Sequence, residues 1–282
     1  MPTTELLPAP SRRRLRPGSQ AAVIAMVVLF LIPFAIMLGT AFTDPDALYG
    51  TGPSLWPREW TLENFLAATE RIPLGRYFVN TLLITGLSVL GTLISCPLVA
   101  YSLVKVPWRG RNALFVVVLA TMMLPPQVTM IPIYLFWNRL GQTDSYLPLI
   151  LPLFFGTPFL IFLLRQFLLN VPDELLDAAR IDGASEFRIY WSIVLPLLRP
   201  ALVTAAIFQF QASWTDFLGP LLYINDSDKF TLSLGLNAFF GQYGIEWGPL
   251  MAACVLFTLP TVLIFAFTSR FFIGGQMAGA LK

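Results

Sequence analysis

Residues 78–104 read FVNTLLITGLSVLGTLISCPLVAYSLV, a run without any Asp, Glu, Lys, Arg or His. A helix needs about 20 apolar residues to cross the hydrocarbon core of a bilayer, and this run is long enough. A continuous apolar run of this length favours a helix over the short alternating strands of a membrane β-barrel. We therefore predict that this stretch is a transmembrane helix.

Five further stretches have the same apolar character. Together they predict six transmembrane helices, at 20–42, 78–104, 113–136, 146–168, 200–224 and 249–269. The composition agrees, because 56% of the residues are hydrophobic, only 12% are charged and the mean hydropathy is +0.70. Since lipid accepts spanning backbone only as helices or closed barrels, we predict an all-α, multi-pass integral membrane protein.

The basic residues predict the orientation, because Lys and Arg are retained on the cytoplasmic side. If the first helix leaves the cytoplasm, thirteen of the eighteen basic residues lie inside, namely Arg12, Arg13, Arg14, Arg16, Lys105, Arg109, Arg111, Arg165, Arg180, Arg188, Arg199, Arg270 and Lys282. The remaining five lie outside, namely Arg58, Arg71, Arg76, Arg139 and Lys229. Both termini and the segment 173–200 are therefore predicted to be cytoplasmic.

The N-terminal residues 1–18 contain four arginines and no apolar face, which is typical of a basic cytoplasmic tail. A secretory signal peptide is the alternative, and its apolar core would span about 7–15 residues before a cleavage site. The apolar run from Ala21 to Ala41 is longer and continues as a predicted helix. We therefore divide the chain into a tail, 1–18, and a transmembrane domain, 19–282.

A charged segment separates the fourth and fifth predicted helices and is too polar to cross a bilayer. Residues 173–200 read DELLDAARIDGASEFRIYWSIVLPLLRP. Pro172 suits the first turn of a helix, and Asp173 and Glu174 favour its positive N-terminal end. One face of this helix is apolar and carries Leu175, Leu176 and Ala179. The segment predicts a short amphipathic helix.

A second short helix is predicted after a tight reversal. Gly183 allows the reversal because glycine tolerates positive φ. Ser185 can accept hydrogen bonds from the free N–H groups that open the second helix, and Pro196 should end it. Two short helices at an angle would form a compact hairpin that is suited to docking.

This segment resembles the EAA loop of binding-protein-dependent ABC importers, patterned as Glu-Ala-Ala, three residues, Gly, nine residues and Ile-x-Leu-Pro. The corresponding residues here are Asp177, Ala178, Ala179, Gly183, Ile193, Leu195 and Pro196. Asp177 stands where the family has Glu, which keeps the charge and shortens the reach by one methylene. The surrounding run RIDGAS, residues 180–185, is similar to the maltose-type carbohydrate permeases.

Further similarity to the second permease subunit of such importers covers most of the chain. It includes the runs WTLENF at 60–65, Asn-Thr at 80–81, WTDF at 214–217 and GQMAGALK at 275–282. The resemblance implies a permease of the bacterial cytoplasmic membrane that translocates a carbohydrate. The energy would come from ATP hydrolysis in separate subunits.

The resemblance also implies the partners of the chain. They are an ATPase dimer that binds ATP and Mg, an extracytoplasmic solute-binding protein, the surrounding lipid and a second homologous permease in a heterodimer. Pairing with a second copy of this chain is the alternative to the heterodimer. Contact with the ATPase would involve Asp177, Ala178, Ala179, Asp182, Gly183, Ala184, Leu195 and Pro196. The alternative is that the segment is only the connector that any multi-pass protein needs.

The chain shows no catalytic or metal-binding constellation. It has no histidine, no Gly-x-x-x-x-Gly-Lys phosphate loop and only two cysteines. Cys96 and Cys254 lie inside predicted helices, where a free cysteine acts as a small hydrophobic residue. We therefore expect a non-catalytic subunit with no bound metal or cofactor, and no feature indicates a nucleic-acid partner.

Polar side chains within predicted helices are candidates for the translocation path, because they are costly in lipid. Gln209, Ser213 and Asp216 can share one helical face. Amides and carboxylates can bind sugar hydroxyls while an aromatic ring covers the apolar side of a pyranose. The alternative is that these groups form hydrogen bonds between helices. The candidates are Asn80, Gln127, Gln209, Gln211, Ser213, Trp214 and Asp216.

Two other functional classes fit the sequence less well. An ion-coupled secondary transporter usually needs buried ionisable residues, and Asp216 is the one acidic residue within the predicted helices. A membrane-embedded hydrolase needs a nucleophile with a base, or metal ligands, and the absence of histidine disfavours it.

Overall fold

The computed structural model describes residues 17–48, 52–57, 59–241 and 244–279, with side chains described up to residue 268. The predicted tail therefore lies outside the described residues, apart from its last two positions, which already belong to the first helix. The C-terminal Ala280, Leu281 and Lys282 also lie outside them.

Helices dominate the described part of the chain. Those of the first half are α1 (Pro17–Ala41), α2 (Pro45–Leu48), α3 (Glu63–Arg71), α4 (Leu74–Val104), α5 (Arg111–Thr121), α6 (Pro126–Arg139), α7 (Leu147–Ile150) and α8 (Pro158–Leu168). Those of the second half are α9 (Asp173–Ile181), α10 (Glu186–Ile189), α11 (Leu195–Leu197), α12 (Arg199–Trp214), α13 (Leu218–Tyr223), α14 (Leu232–Gly235) and α15 (Trp247–Gly279).

The remaining regular elements are short. A π-helical turn, Tyr190–Val194, joins α10 to α11, and strands β1 (Phe240–Gly241) and β2 (Gly244–Ile245) pair antiparallel with Phe240 opposite Ile245. The structure also contains 3-10 helices at Leu151–Phe155, Ser227–Lys229 and Leu236–Phe239.

Four helical segments among the described residues are long and apolar enough to cross a bilayer: Gly18–Ala41, Leu74–Val104, Leu147–Leu168 and Trp247–Thr268. Two bent helix pairs bring the number to six if each pair counts as one span. The prediction of a helical membrane fold is therefore confirmed, whereas the predicted spans 113–136 and 200–224 are not continuous helices.

Proline explains the break in the third predicted span. Helices α5 and α6 meet at 98°. Leu124 and Pro125 each precede a proline, and the residue before a proline is forced out of the helical region. Pro125 accordingly has an extended conformation, with ψ of 134°.

The fifth predicted span begins after a 77° bend at Leu198 and stops early, because α12 ends at Trp214. The prediction that Pro196 ends the preceding helix was wrong, since the helix continues to Leu197. The π-helical turn gives the reason: the Leu195 N–H bonds to the Tyr190 carbonyl, five residues back, so the wider turn accommodates the proline ring.

Connections between the helices gather at two opposite ends of α4, whose 31 residues span about 45 Å. We call the two helices from Asp173 to Leu197 the hairpin, and it contacts the C-terminal end of α4. The other end, which we call the distal end, contains the connection 140–146 and the described parts of the connections 42–73 and 224–246.

Asn64 organises the distal end. Its side chain is fully buried, and Nδ2 donates to the carbonyl groups of Ala41 at 3.1 Å and Thr43 at 2.6 Å. These bonds satisfy carbonyls that the end of α1 leaves without helical partners. Asn64 thereby ties α1 to α3, and the rings of Phe42 and Phe65 pack beside it with centroids 5.1 Å apart.

Asp144 fastens two distal connections together. Its carboxylate accepts bonds from Lys229 Nζ at 2.7 Å and from the backbone N–H groups of Asn225 at 3.0 Å and Asp226 at 2.9 Å. The bonds from Lys229, Asp226 and Asn225 lower the pKa of Asp144 to about 2. The carboxylate therefore stays ionised at physiological pH.

Two apolar clusters form the core. The hairpin cluster joins the hairpin to α4, α8 and α12 through Cys96, Ala100, Tyr101, Leu103, Leu160, Ile161, Leu164, Leu168, Leu176, Ile189, Tyr190, Val194, Leu198, Ala201 and Ala205. The distal cluster joins α1, α3 and α15 to the start of α4 through Ala41, Ala68, Ile72, Leu74, Tyr77, Leu232, Phe239, Leu250, Ala252 and Ala253. Many apolar side chains elsewhere on the spans are exposed, as lipid requires.

Close packing of α4 gives a test of the fold. A Cβ at Gly91 would lie 2.5 Å from the Phe154 ring, whereas one at Gly86 on the same helix would meet nothing within 4 Å. We expect Gly91→Val to lower the free energy of unfolding by about 1–3 kcal/mol, because overpacking forces neighbours apart. Gly86→Val is the matched control. Equal thermal stability of both variants in detergent would contradict this packing.

Candidate functional site

The turn of the hairpin has the geometry that the sequence predicts. Gly183 has a φ of +80°. The Ala184 N–H donates to the Ala179 carbonyl and the Gly183 N–H to the Arg180 carbonyl, both at 3.0 Å. This pair of bonds is a Schellman motif, which requires a left-handed residue where Gly183 stands. The spacing of Ala179, Gly183 and Ala184 therefore closes the turn.

The buried face of α9 differs in part from the prediction. Leu176 is fully buried in the hairpin cluster, and Ala179 and Ala184 pack against that cluster. Leu175, which we predicted to share this face, is 45% exposed. The nine-residue α9 therefore buries a narrower stripe than the sequence pattern indicated.

The second helix of the hairpin begins as predicted and buries its own apolar face. The Ser185 side chain accepts the Arg188 N–H, which caps the helix. Ile189, Tyr190 and Val194 are buried in the hairpin cluster, with Ile193 and Leu195 packed beside them. Both hairpin helices are therefore held against α4 and α8.

A charged network braces the hairpin internally. Arg180 donates to Asp177 Oδ1 at 2.6 Å and to Glu186 Oε1 at 2.7 Å. These two carboxylates raise the pKa of Arg180, so the guanidinium stays charged. Asp177 is thus paired within its own helix, while 62% of its side chain remains exposed.

Two α4 contacts were missed by the sequence analysis. Lys105 Nζ donates to Asp173 Oδ1 at 2.6 Å, and the Tyr101 hydroxyl donates to Glu186 Oε2 at 2.5 Å. The available signal was weak: Lys105 directly follows a long apolar run, and Tyr101 lies one helical turn earlier. Neither position indicates its distant partner.

The opposite side of the hairpin is open and partly apolar. Ile181 is 86% exposed, and the rings of Phe187 and Trp191 stack with centroids 6.3 Å apart while both are more than half exposed. We call this surface the open face. The predicted coupling residues Asp177, Ala178, Asp182, Gly183 and Pro196 are exposed on the hairpin as well.

Of the predicted path residues in α12, Gln209 and Ser213 form a polar pair, and Trp214 is a buried aromatic residue. Gln209 is buried, and its Nε2 donates to Ser213 Oγ at 2.8 Å, so their predicted shared face is confirmed. Trp214 is 1% exposed, and its Nε1 donates to the Phe257 carbonyl at 3.0 Å. Its ring packs between helices against those of Phe78, Phe210 and Phe257. This geometry favours a packing role for Trp214.

The other predicted path residues lie apart. Asn80 donates to the carbonyl groups of Asp228 at 2.9 Å and Phe230 at 3.0 Å, which ties α4 to a distal connection. Asp216 lies beyond the end of α12 and accepts the Gly219 N–H at 3.1 Å, so it does not share the face of Gln209. Two glutamines are exposed: Gln127 in α6 and Gln211 in α12.

A stripe of hydroxyl groups along α4 was missed. Thr85, Ser88 and Thr92 are almost fully buried, and their hydroxyl groups have no hydrogen-bond partner within the part of the chain that the structure describes. The same stripe continues to Ser95, which donates to the Leu153 carbonyl at 2.9 Å. The sequence signal was the spacing of three and four residues, which places these side chains on one face.

Comparisons with known proteins identify similar chains. The family described as the inner membrane component of binding-protein-dependent transport systems matches residues 89–273. The arabinooligosaccharides transport system permease protein AraQ of Halalkalibacterium halodurans is 35% identical over 264 residues, which cover 93% of this chain and 94% of that protein. The melibiose/raffinose/stachyose import permease protein MelC of Bacillus subtilis is 32% identical, covering 93% of this chain and 94% of that protein.

A solved structure shares the fold. The crystal structure of a bacterial ABC transporter involved in the import of the acidic polysaccharide alginate contains a chain that matches with a TM-score of 0.78. The match covers 92% of this chain and 99% of that chain, at 20% sequence identity.

Substitution of Trp214 tests whether its ring packs between helices or contacts the transported substrate. We expect Trp214→Ala to lower the free energy of unfolding by about 3–5 kcal/mol, because it removes a buried ring. Trp214→Phe keeps an aromatic ring but loses the Nε1 bond and part of the buried ring, so we expect a smaller loss of about 1–3 kcal/mol. Thermal unfolding in detergent measures both, with exposed Gln211→Ala as the control. Unchanged stability with an altered substrate preference would return Trp214 to the path.

Proposed function

Because this chain belongs to the family of inner membrane components of binding-protein-dependent transport systems, we propose that it is the permease subunit of an ATP-driven carbohydrate importer. The observation that carries this proposal is the similarity to AraQ and MelC, permeases named for oligosaccharide transport, over more than nine-tenths of the chain. The same relatives favour this class over an ion-coupled secondary transporter. Oligosaccharides are the best-supported cargo.

We infer that six helical segments cross the membrane and that both termini and the hairpin face the cytoplasm. The charge distribution supports this orientation, because most basic residues fall on that side. The gathering of connections at two opposite ends supports six crossings, in which α5 and α6 form one bent span and α12 crosses without the hairpin helix that precedes it. A bent span is tolerated where neighbouring helices satisfy its backbone.

The open face of the hairpin is the proposed contact with an ATPase dimer. Its exposed Ile181, Phe187 and Trp191 offer apolar anchors, and nearby acidic side chains offer polar contacts at the rim. The remaining proposed partners are a second homologous permease, which completes the path, and an extracytoplasmic solute-binding protein at the distal end. ATP and Mg would bind to the ATPase subunits, and the hairpin residues supply only the contact.

The proposed mechanism follows from how firmly the hairpin is held. Closure of the ATPase dimer would move the hairpin as a rigid body, since both of its helices are packed against the hairpin cluster. The motion would tilt α8 and α12, which the hairpin joins directly, and so alternate access to the path. Gln127 and Gln211 are the predicted path residues with exposed side chains, whereas Gln209 and the α4 hydroxyl stripe are buried between helices.

Uptake measurements test the proposed function. We expect cells that produce the complete transporter to accumulate a radiolabelled neutral oligosaccharide, tested with arabinotriose and raffinose, and deletion of this chain to abolish the accumulation. Depletion of ATP should stop uptake, whereas collapse of the proton gradient at constant ATP should not. The reverse pattern would identify an ion-coupled carrier and overturn the proposal.

Substitution of Gly183 tests whether the turn of the hairpin is needed for uptake. The positive φ of this residue is strained for any β-branched side chain, at a cost of about 1–3 kcal/mol, although a Cβ there would meet nothing within 4 Å. We expect Gly183→Val to reduce uptake severalfold while the transporter still assembles. Gly183→Asn is the matched control, because Asn tolerates the left-handed region. Equal uptake by all three proteins would contradict a role for this turn.

A further inference from the structure

The hairpin is bonded to the C-terminal end of α4, although the two are far apart in the chain. Lys105 directly follows α4, and its Nζ donates to the Val171 carbonyl at 2.6 Å and to Asp173 Oδ1 at 2.6 Å. Only 4% of the Lys105 side chain is exposed, against 75% for Asp173. A buried ammonium group is costly unless it is paired and hydrogen-bonded, so the position of Lys105 is tightly specified.

A second set of contacts closes a ring of hydrogen bonds around Lys105. The Tyr101 hydroxyl donates to Glu186 Oε2 at 2.5 Å, and Arg180 Nε donates to Glu186 Oε1 at 2.7 Å. Arg180 Nη2 in turn donates to the backbone carbonyl of Lys105 at 3.1 Å. The last turn of α4 thus bonds to both helices of the hairpin. We call Tyr101 and Lys105 with these partners the α4 clamp.

The clamp fixes the orientation of the hairpin on α4, which apolar packing alone would not fix. Leu176 is fully buried against α4 and α8, and the rings of Tyr101 and Tyr190 lie 5.4 Å apart. Apolar surfaces alone can slide, since the hydrophobic effect is non-directional. Hydrogen bonds with fixed geometry prevent sliding. The bond from Lys105 also holds the pKa of Asp173 below its usual range, so this pair persists at neutral pH.

We propose that Lys105 is a positioning residue that makes α4 part of the moving body. This inference rests on the proposed function, in which an ATPase drives the hairpin. The hairpin then moves α8 and α12 through their covalent connections to it, and it moves α4 through the clamp. Because α4 packs against both α8 and α12, its displacement together with the hairpin would move the three helices as one unit.

Distances within the assembled transporter test this proposal without a sugar. Spin labels are placed at Leu98→Cys in α4 and Val262→Cys in α15, which are 49% and 53% exposed, with Cys254 replaced by Ser. Cys96 is fully buried and stays. Electron resonance distances are measured in the complete complex before and after trapping with ATP and vanadate. ATP hydrolysis and co-purification of the ATPase are measured in parallel.

We expect trapping to shift the label distance in the unmodified complex. Lys105→Met keeps the length of the side chain and removes its charge, so it should at least halve the shift while the ATPase remains bound and trapped. Lys105→Arg should restore most of the shift. Asp173→Asn should have a smaller effect than Lys105→Met, because the bond from Lys105 to Val171 survives.

Three results would overturn the proposal. One is an unmodified complex whose label distance does not change, and another is a full shift in Lys105→Met. If Lys105→Met does not assemble, Lys105→Gln takes its place, since it removes the charge and keeps a polar side chain, and a full shift in Lys105→Gln is the third. Loss of the ATPase from the unmodified complex would contradict the proposed function itself, which separates the two failures.

Discussion

The buried ammonium group of Lys105 fixes how the hairpin sits on the membrane helices. It lies between the Val171 carbonyl and the Asp173 carboxylate, at the point where the chain leaves α8 and enters α9. The Schellman turn at Gly183 then returns the chain, so that Glu186 reaches Tyr101 one helical turn away on α4. Leu176 fills the space between these bonds. The open face is left outside because it lies away from the hairpin cluster.

The lipid around the spans explains where the polar side chains of the protein lie. Lipid offers no hydrogen bonds, so polar groups concentrate at the hairpin end and the distal end. At the distal end Asn64 satisfies the carbonyls after α1, and Asp144 joins two connections. Between the ends, α4 packs centrally through small and hydroxyl-bearing residues such as Gly91 and Ser88, which allow close approach of its neighbours. Its lipid-facing side keeps large apolar residues.

The sequence predicted the features that depend on local pattern. The apolar runs, the positive φ of Gly183, the Ser185 cap and the pairing of Gln209 with Ser213 each follow from composition or from helical spacing. The adjacent prolines Pro125 and Pro126 also indicate the 98° bend between α5 and α6, but the continuous apolar run led to the prediction of one straight helix. The Lys105 contacts and the burial of Trp214 depend on residues far apart in the chain, so no local pattern could reveal them. Leu175 is exposed because packing against α4 left it on the outer side.

Transport by the proposed mechanism requires that the open face of the hairpin meets an ATP-hydrolysing subunit in the cytoplasm. The most direct measurement places a photo-crosslinking amino acid at Phe187, which is 70% exposed, in cells that produce the transporter. A probe at Leu66, 64% exposed at the distal end, is the control. We expect the probe at position 187 to form an adduct with an ATPase subunit and the probe at position 66 to form none. Labelling of position 187 by a membrane-impermeant reagent from outside, or its crosslinking without any ATPase adduct, would contradict this mechanism.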